Sequence, residues 1–260
     1  MFLIDLSGWL SSAIALILLT LQLPAVMVLL SRLLKGPTRR PPLQPRLATP
    51  EQQGAVTVVV PTLNEVARLG PCLDGLSQQT EEVREILIVD SHSQDGTRDL
   101  VKAAQAHESR LRLMTDEPLP PAWVGRPWAL HHGYLQSSAE SEWILGLDAD
   151  TQPQPGLVSA LMAAAVAENY DLVSLSPRFI LKSPGEIWLQ PALLITLVYR
   201  FGPTGASESG AERVMANGQC FLCRRQLLDR LGGYTVARLS FCDDVTLARH
   251  AAQTGAKVGF

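Results

Sequence analysis

The sequence predicts an α/β fold, in which a mostly parallel, Rossmann-like sheet carries helices on both faces and follows one N-terminal transmembrane helix. Two observations support this prediction. Between residues 55 and 175, short β-branched apolar runs alternate with stretches of helical character, which is typical of a parallel sheet covered on both sides. Ahead of that region, the stretch from Trp9 to Leu30 contains 22 residues and no charge.

The uncharged stretch is long enough to cross a bilayer. As an α-helix, its residues would extend about 33 Å, and the hydrocarbon core is about 30 Å thick. Basic residues follow it directly: Arg32, Lys35, Arg39, Arg40 and Arg46. By the positive-inside rule, we expect residues 1–34 to be a single membrane anchor and the rest of the chain to lie on the cytoplasmic face. A helix buried in the protein core is the alternative.

Two further segments follow the anchor. Residues 35–54 contain five prolines among basic and polar residues, so we expect a tether without regular structure that runs close to the anionic leaflet. Residues 55–260 are predicted to form the globular domain. The final residues, 257–260, have the pattern of an opening strand, and we therefore expect the C-terminus to be truncated.

The elements of the domain are predicted in chain order. Strands are expected at residues 55–60, 85–89, 111–114, 143–147 and 171–175. A helical stretch is expected after Pro61 through about Ser77, and further helices at about 97–106, 127–138, 156–168 and 244–254. The apolar stretch from Ile187 to Phe201 is short for a full membrane span. Two alternatives remain open for it, a buried helix and a helix that lies at the membrane interface.

Composition excludes some classes of protein. A net charge of −3 over 260 residues argues against a nucleic-acid-binding protein, which would normally carry a basic excess. The four cysteines do not resemble a disulfide framework. Cys220 and Cys223 have the spacing of metal ligands, but no second pair exists, so we expect both to be reduced and to lie in or beside a strand.

Polar residues follow three of the predicted strands. Thr62 and Glu65 follow the first strand, Asp90 follows the second, and Asp148 and Asp150 follow the strand that begins at Trp143. The carboxyl ends of parallel strands meet at one edge of a sheet, where α/β folds bind ligands. Two carboxylates so close together repel each other unless a cation or hydrogen-bond donors lie between them. A turn or a helix start is the alternative, because aspartate favours both.

These strand-end motifs together resemble the family 2 glycosyltransferases of the GT-A fold. The resemblance covers residues 56–260 and rests on Val-Val-Val-Pro-Thr-Leu-Asn-Glu at 58–65, the loop 90–97, Leu-Asp-Ala-Asp-Thr at 147–151, Asn-Gly-Gln-Cys at 217–220 and Cys-Asp-Asp-Val-Thr-Leu-Ala at 242–248. The segment 123–129, Trp-Val-Gly-Arg-Pro-Trp-Ala, resembles the membrane-anchored branch that glycosylates ceramide, hopanoids and carotenoids.

The resemblance implies roles for residues on the donor side. Thr62, Glu65 and Asp90 would line the pocket for the nucleotide. Asp148 would contact the ribose or the metal, and Asp150 would ligate a Mg²⁺ or Mn²⁺ ion that bridges the two phosphates.

Other roles implied by the resemblance concern the phosphates and the acceptor. Arg126 stands where relatives often carry lysine and would pair with phosphate, unless it is a solvated surface arginine. Asp244 would be the general base. Asn217, Gly218 and Asp243 would lie on the acceptor side, although the family usually has Glu-Asp where this chain has Asp-Asp.

We therefore expect an inverting transferase that moves a sugar from a nucleotide diphosphate, UDP-glucose by default, to a lipid or isoprenoid hydroxyl at the membrane. The alternative acceptors are a polyprenyl phosphate and a polysaccharide, although the Gln-x-x-Arg-Trp motif of processive synthases does not occur before residue 260. A sugar-phosphate nucleotidyltransferase would need a Gly-rich loop after the first strand. A truncated, non-catalytic nucleotide-binding membrane protein is the remaining alternative.

Overall fold

The computed structural model describes residues 6–38, 40–202, 205 and 214–260. The described residues fall into two compact units. One unit comprises those within Met1–Arg40 and Phe179–Ser207, and the other comprises those within Pro41–Arg178 and Glu208–Phe260.

The larger unit contains seven strands within residues 41–178 and 214–260. They are β1 (Val56–Thr62), β2 (Val83–Asp90), β3 (Leu111–Thr115), β4 (Trp143–Leu147), β5 (Leu172–Ser174), β6 (Cys220–Arg224) and β7 (Val258–Gly259). They form one sheet in the order β3-β2-β1-β4-β6-β5-β7. All neighbouring pairs are parallel except the two that involve β6. The predicted mostly parallel sheet is confirmed.

Helices cover both faces of this sheet. They are α2 (Gly70–Ser77), α3 (Thr97–Gln105), α4 (Gly125–Gln136), α5 (Leu157–Ala167), α7 (Arg225–Leu231) and α8 (Asp243–Gln253); the smaller unit holds α1 (Leu6–Leu33) and α6 (Pro184–Phe201). Successive side chains of a strand point to opposite faces. Accordingly, Val58 and Val60 pack in a cluster with Leu161 of α5. Val59 packs in a second cluster with Leu247 of α8.

The cysteines agree with the prediction. Cys220 and Cys223 lie in β6 and are buried and unbridged. Burial in an apolar surrounding disfavours the thiolate and raises the pKa of Cys220 to about 12. Both cysteines therefore lie in a strand, as expected, and burial disfavours the thiolate form that metal binding and oxidation require.

The helix α1 has the properties of a membrane span. Of the described residues, Trp9–Leu33 is the one helix long and apolar enough to cross a bilayer, with a mean hydropathy of 2.5, and no part of that window is buried inside the chain. Pro24 lies inside α1 and does not end it. An unburied apolar helix argues against a core helix, although length and composition by themselves make it only a possible span.

The helix α6 is also apolar and exposed. Over residues 184–200 its side chains are exposed except for those of Gln190 and Val198, which are half-buried, and Trp188 retains 82% of its accessible surface. A capping box between Ser183 and Glu186 starts the helix. Of the two alternatives for this stretch, burial in the protein core does not occur.

Close packing between α4 and the sheet generates the first prediction. A Cβ atom added to Gly133 of α4 would overlap Cγ1 of Val59 and lie 3.1 Å from Cγ2 of Val89. Because valine side chains in a strand are stiff, we expect Gly133→Ala to lower the free energy of unfolding by about 1–3 kcal/mol. The measurement is the urea midpoint of the detergent-solubilised chain.

Gly70→Ala is the matched control. Gly70 is also helical, and no atom lies within 4 Å of its added Cβ. An unchanged midpoint in Gly133→Ala, equal to that of the control, would contradict the close approach of α4 to β1.

Candidate active site

The candidate site lies at the carboxyl edge of the sheet in the larger unit. Thr62, the last residue of β1, lies opposite Asp90, the last residue of β2. On the other side of β1, Val59 lies opposite Gly146, so β4 ends one residue later at Leu147 and delivers Asp148 to the same edge. The parallel register therefore brings three predicted strand ends together.

Asp90 is fully buried and neutralised by an arginine. Its Oδ2 accepts hydrogen bonds from the Ser93 amide at 3.1 Å and from Nη1 of Arg98 at 3.0 Å. The Thr62 hydroxyl lies 3.5 Å from Oδ1 of Asp90 and donates to the Val89 carbonyl at 3.3 Å. Because a buried carboxylate without a partner is costly, Arg98 is what permits Asp90 at this position.

Side chains tie the loop after β1 to the loop after β2. Ser93 Oγ accepts from the Asn64 amide, and Oδ1 of Asn64 accepts from the Gln94 amide, both at 2.8 Å. Asn64 and His92 have positive φ angles of 56° and 62°, which asparagine tolerates better than most residues. His92 is exposed. These bonds fix the two loops against each other beside Thr62.

Glu65 and Asp150 are linked by Arg68. Nη2 of Arg68 lies 2.8 Å from both carboxylate oxygens of Glu65, and Nη1 lies 3.9 Å from Oδ2 of Asp150. The Arg68 side chain is 59% exposed and that of Asp150 is 43% exposed, so the longer pair is weak. Asp150 is thus the accessible carboxylate of the pair that follows β4.

Arg126, the second residue of α4, connects three separate segments. Its Nε and Nη2 donate to Oδ1 of Asp148 at 2.9 and 2.8 Å, its Nη2 donates to the Gly218 carbonyl at 2.8 Å, and its Nη1 donates to Oδ2 of Asp243. Four bonds occupy most of the five N–H groups of a guanidinium. A phosphate contact that keeps all four bonds would therefore have to use the one remaining N–H group, on Nη1.

The surrounding charges determine the protonation state of Arg126. Burial alone would lower the pKa of the guanidinium, but the negative charges of Asp243 and Asp148 outweigh burial and raise that pKa. Arg126 therefore remains a permanent cation between two carboxylates.

The two carboxylates at the start of α8 are held differently. Asp243 is buried and paired with Arg126, whereas Asp244 is half-buried and accepts a hydrogen bond from the Gly218 amide at 2.6 Å through Oδ2. A helix N-terminus favours negative charge at both positions. Gly218 thus contacts Arg126 through its carbonyl and Asp244 through its amide.

Asn217 precedes Gly218 in the chain, but its side chain takes no part in these bonds to Arg126 and Asp244. Its amide donates to Ser174 Oγ at 3.1 Å, and its Oδ1 accepts from the Gln219 amide at 2.9 Å. Its observed contacts shape the turn that carries Gly218.

Apart from Asn217, the predicted residues form three groups. Arg126, Asp148, Gly218, Asp243 and Asp244 are joined by direct hydrogen bonds. Thr62 and Asp90 lie together, and Glu65 and Asp150 are linked through Arg68. Within residues 6–38, 40–202, 205 and 214–260, no three His, Cys, Asp or Glu side chains are placed to hold a metal ion by themselves. A cation at Asp150 would therefore need oxygen ligands from a bound molecule, which suits a hard divalent ion that carries phosphate.

Two arginines of the site were absent from the predictions. Arg98 follows the cap of α3 by two residues, and Arg68 precedes α2 by two residues. A basic residue shortly after each strand-end carboxylate was the available signal, but arginine is common on exposed helix starts.

Comparison with known proteins places this geometry in context. Residues 57–232 match the model of Glycosyl transferase family 2. The 4,4'-diaponeurosporenoate glycosyltransferase of Staphylococcus haemolyticus is 26% identical over 138 residues, which cover 52% of this chain and 35% of the relative. The undecaprenyl-phosphate 4-deoxy-4-formamido-L-arabinose transferase of Aeromonas hydrophila is 27% identical over 128 residues, which cover 47% and 37%.

The fold has solved counterparts. A mannosyltransferase from Pyrobaculum calidifontis, in complex with GDP-Man and Mn²⁺, superposes with a TM-score of 0.64 at 22% identity and covers 95% of this chain and 65% of that one. This likeness shows the predicted GT-A fold. The chain spans less than half the length of the curated relatives named above. The family match itself extends over most of the sheet and over every strand end described, and the chain belongs to glycosyl transferase family 2.

Proposed function

We propose that this chain is an inverting, metal-dependent glycosyltransferase that moves a sugar from a nucleotide-diphosphate donor, with UDP-glucose as the default, to a lipid or isoprenoid hydroxyl at the membrane. The observation that carries the proposal is the set of bonds from Arg126 to Asp148, Gly218 and Asp243. These bonds hold the donor-side carboxylate that follows β4 close to the acidic pair of α8, as a transfer between two substrates requires.

The contacts of the acidic pair support Asp244 as the general base. Asp243 is buried and its charge is committed to Arg126. Asp244 is more accessible, and the Gly218 amide engages one of its two oxygens. The second oxygen is suited to accept a proton, and the amide holds the carboxylate in a fixed orientation.

The charge of the site supports a divalent cation. Four carboxylates, those of Asp148, Asp150, Asp243 and Asp244, stand against the guanidinium groups of Arg68 and Arg126. The excess negative charge would repel a nucleotide diphosphate unless a cation accompanied it. Asp150 would hold Mg²⁺ or Mn²⁺ together with the two phosphates, with Asp148 beside it. When bound, such an ion neutralises the charge that grows on the departing diphosphate.

The proposed reaction uses the chain's own groups as follows. Thr62, Glu65 and Asp90 bind the nucleoside, and the interlocked loops after β1 and β2 fix its position. The Asp244 carboxylate takes the proton of the acceptor hydroxyl as its oxygen bonds to the anomeric carbon. The bond from that carbon to the diphosphate breaks on the opposite side, and the configuration is inverted.

Exposed apolar side chains next to Asp244 support an apolar acceptor. Phe241 is 90% exposed and Leu239 is 61% exposed, three and five residues before Asp244. Large exposed apolar groups beside a polar site are typical of a contact surface. The apolar helix α1 supports the same conclusion, because an enzyme anchored in the membrane meets its lipid acceptors there. The basic residues that follow α1 favour a cytoplasmic position for the domain. We propose no nucleic-acid partner.

The names of the two relatives point to two different acceptors. The Staphylococcus protein is named for diaponeurosporenoate, a carboxylate, and the Aeromonas protein is named for undecaprenyl phosphate. We favour a hydroxyl because a carboxylate or a phosphate acceptor would add negative charge beside Asp244. Mild acid hydrolysis of the product separates the two, since a glycosyl phosphate releases its sugar in dilute acid and a lipid glycoside resists the same treatment.

The first test concerns the base. Asp244→Asn keeps an oxygen that can accept from the Gly218 amide but cannot take a proton. We expect sugar transfer and slow donor hydrolysis to fall by about 10²–10⁴-fold, with UDP affinity unchanged. The measurements are UDP release and calorimetric binding of UDP. Asp99→Asn, an exposed aspartate of α3, is the control. Normal turnover in Asp244→Asn would show that another group is the base.

The second test concerns the cation. Because Asp150 is exposed, Asp150→Ala should fold normally. We expect Mn²⁺ to tighten UDP binding to the unmodified chain by about tenfold or more, equivalent to about 1.4 kcal/mol, and to have no effect on the variant. Calorimetry with and without Mn²⁺ measures this difference, and Asp99→Ala is the control. An equal effect of Mn²⁺ on both chains would contradict the role of Asp150.

The third test concerns the acceptor. Removing the apolar contact in Phe241→Ser should lower transfer of radiolabelled glucose into the lipid phase of source membranes by about tenfold, since a buried Phe side chain contributes about 1.5–3 kcal/mol. Donor hydrolysis should not change. Leu135→Ser, which alters an exposed leucine at the far end of α4, is the control. Equal transfer by both variants would exclude Phe241 from the acceptor contact.

A further inference from the structure

The C-terminal ends of α1 and α6 meet within the smaller unit. Nη1 of Arg32, at the end of α1, donates to the Arg200 carbonyl near the end of α6 at 3.3 Å. The last carbonyls of a helix lack intrahelical partners, and a guanidinium satisfies one of them and favours the negative end of the helix dipole. The two helix ends therefore lie at the same level.

If α1 spans the membrane, the level of its C-terminal end is the boundary of the hydrocarbon core. Residues 6–31 are uncharged, and Arg32 is the first charge after them. An arginine at the end of a span marks the boundary between hydrocarbon and water. Because Arg32 bonds to Arg200, the end of α6 lies at that boundary as well.

The sequence of α6 suits a position in the plane of the interface. Its 18 residues extend about 27 Å, less than the roughly 30 Å of the hydrocarbon core. Its charges are confined to Glu186 near its start and Arg200 near its end, and the residues from Ile187 to Tyr199 are uncharged. A helix that crossed the bilayer would carry Glu186 into or across the core, whereas a helix in the plane keeps both charges among the headgroups.

The large exposed side chains of α6 between Ile187 and Leu197 are apolar. Trp188 and Leu189 retain 82% and 73% of their surface, and Leu193 retains 54%. A row of large apolar groups in contact with water is unfavourable by about 25 cal/mol for each Å². A neighbouring bilayer removes this cost, and the tryptophan suits the headgroup boundary.

We propose that α6 lies in the cytoplasmic leaflet beside the end of α1, as a second membrane contact of the chain, with Trp188, Leu189 and Leu193 in the acyl layer. This inference rests on the membrane anchorage proposed above. It extends that anchorage to a segment inserted in the chain between β5 and β6, so the membrane holds the catalytic unit through more than its N-terminus.

The test uses environment-sensitive fluorophores on single cysteines in the full chain, reconstituted in phosphatidylcholine and phosphatidylglycerol vesicles. The background is Cys242→Ser, because Cys242 is the exposed cysteine of the described residues. Cys72 and Cys220 are buried and their pKa values are raised to about 12, so they resist labelling. NBD is attached at Leu189→Cys, at Leu18→Cys in α1 and at the exposed Glu81→Cys.

We expect NBD at position 189 to emit at a shorter wavelength than NBD at position 81. We also expect a nitroxide near the lipid headgroup to quench it more strongly than a nitroxide near the end of the acyl chain. At position 18, the deep nitroxide should quench more strongly. A water-like spectrum at position 189 with lipid quenching at position 18 would overturn the inference and leave the anchorage intact. A blue-shifted label at 189 that no lipid nitroxide quenches would also overturn it, because protein would then cover α6.

A water-like spectrum at position 18 would instead contradict the anchorage itself. UDP release is measured on each labelled chain and reports the proposed reaction independently of either result. The matched pair carries NBD at Leu193→Cys, with either Leu189 or Leu189→Asp. We expect NBD in the chain with Leu189→Asp to emit at a longer wavelength, and lipid nitroxides to quench it less, than NBD in the chain that retains Leu189.

Discussion

The ion pairs of Arg126 determine the arrangement of the candidate site. One guanidinium near the start of α4 bonds to the carboxylate that follows β4, to the turn before β6 and to the first carboxylate of α8. Removing one partner of a buried charge pair typically costs about 3–5 kcal/mol, because the other charge remains buried without compensation. Arg126 is therefore the interaction on which the mutual position of the donor-side and acceptor-side acids depends.

The sheet could be predicted because its signals are local. The β-branched run of β1 and the apolar run of β2 specify strands without reference to partners, and β-α alternation predicts their parallel order. A strand was expected at or beside Cys220 and Cys223, but the antiparallel pairing of β6 was not predicted, because its partners β4 and β5 lie far away in the chain. Most helix boundaries shifted by one or two residues: α4 begins at Gly125, ahead of the proline that was expected to start it. The shift is larger for α2, which begins at Gly70 although a helical stretch was expected soon after Pro61.

The candidate site was predicted in part for the same reason. Strand-end motifs mark Thr62, Asp90 and Asp148 locally, and the edge of the sheet brings them together. The partners of Arg126 lie 22, 92 and 117 residues away in sequence. No local pattern could therefore indicate that Arg126, which was expected to pair with phosphate, binds two carboxylates of the chain itself. The same limit applies to α6, where composition left burial and the interface open until its exposure decided against burial.

A crystal structure of the chain with UDP and Mn²⁺, with the metal located by anomalous scattering, tests the central claim most directly. The account predicts one manganese peak bonded to Asp150 and to both phosphates, with Arg126 still bridging Asp148 and Asp243 and the Asp244 carboxylate open to the same cleft. A manganese ion bound away from Asp150, or a diphosphate in a cleft that Asp244 does not reach, would contradict the account.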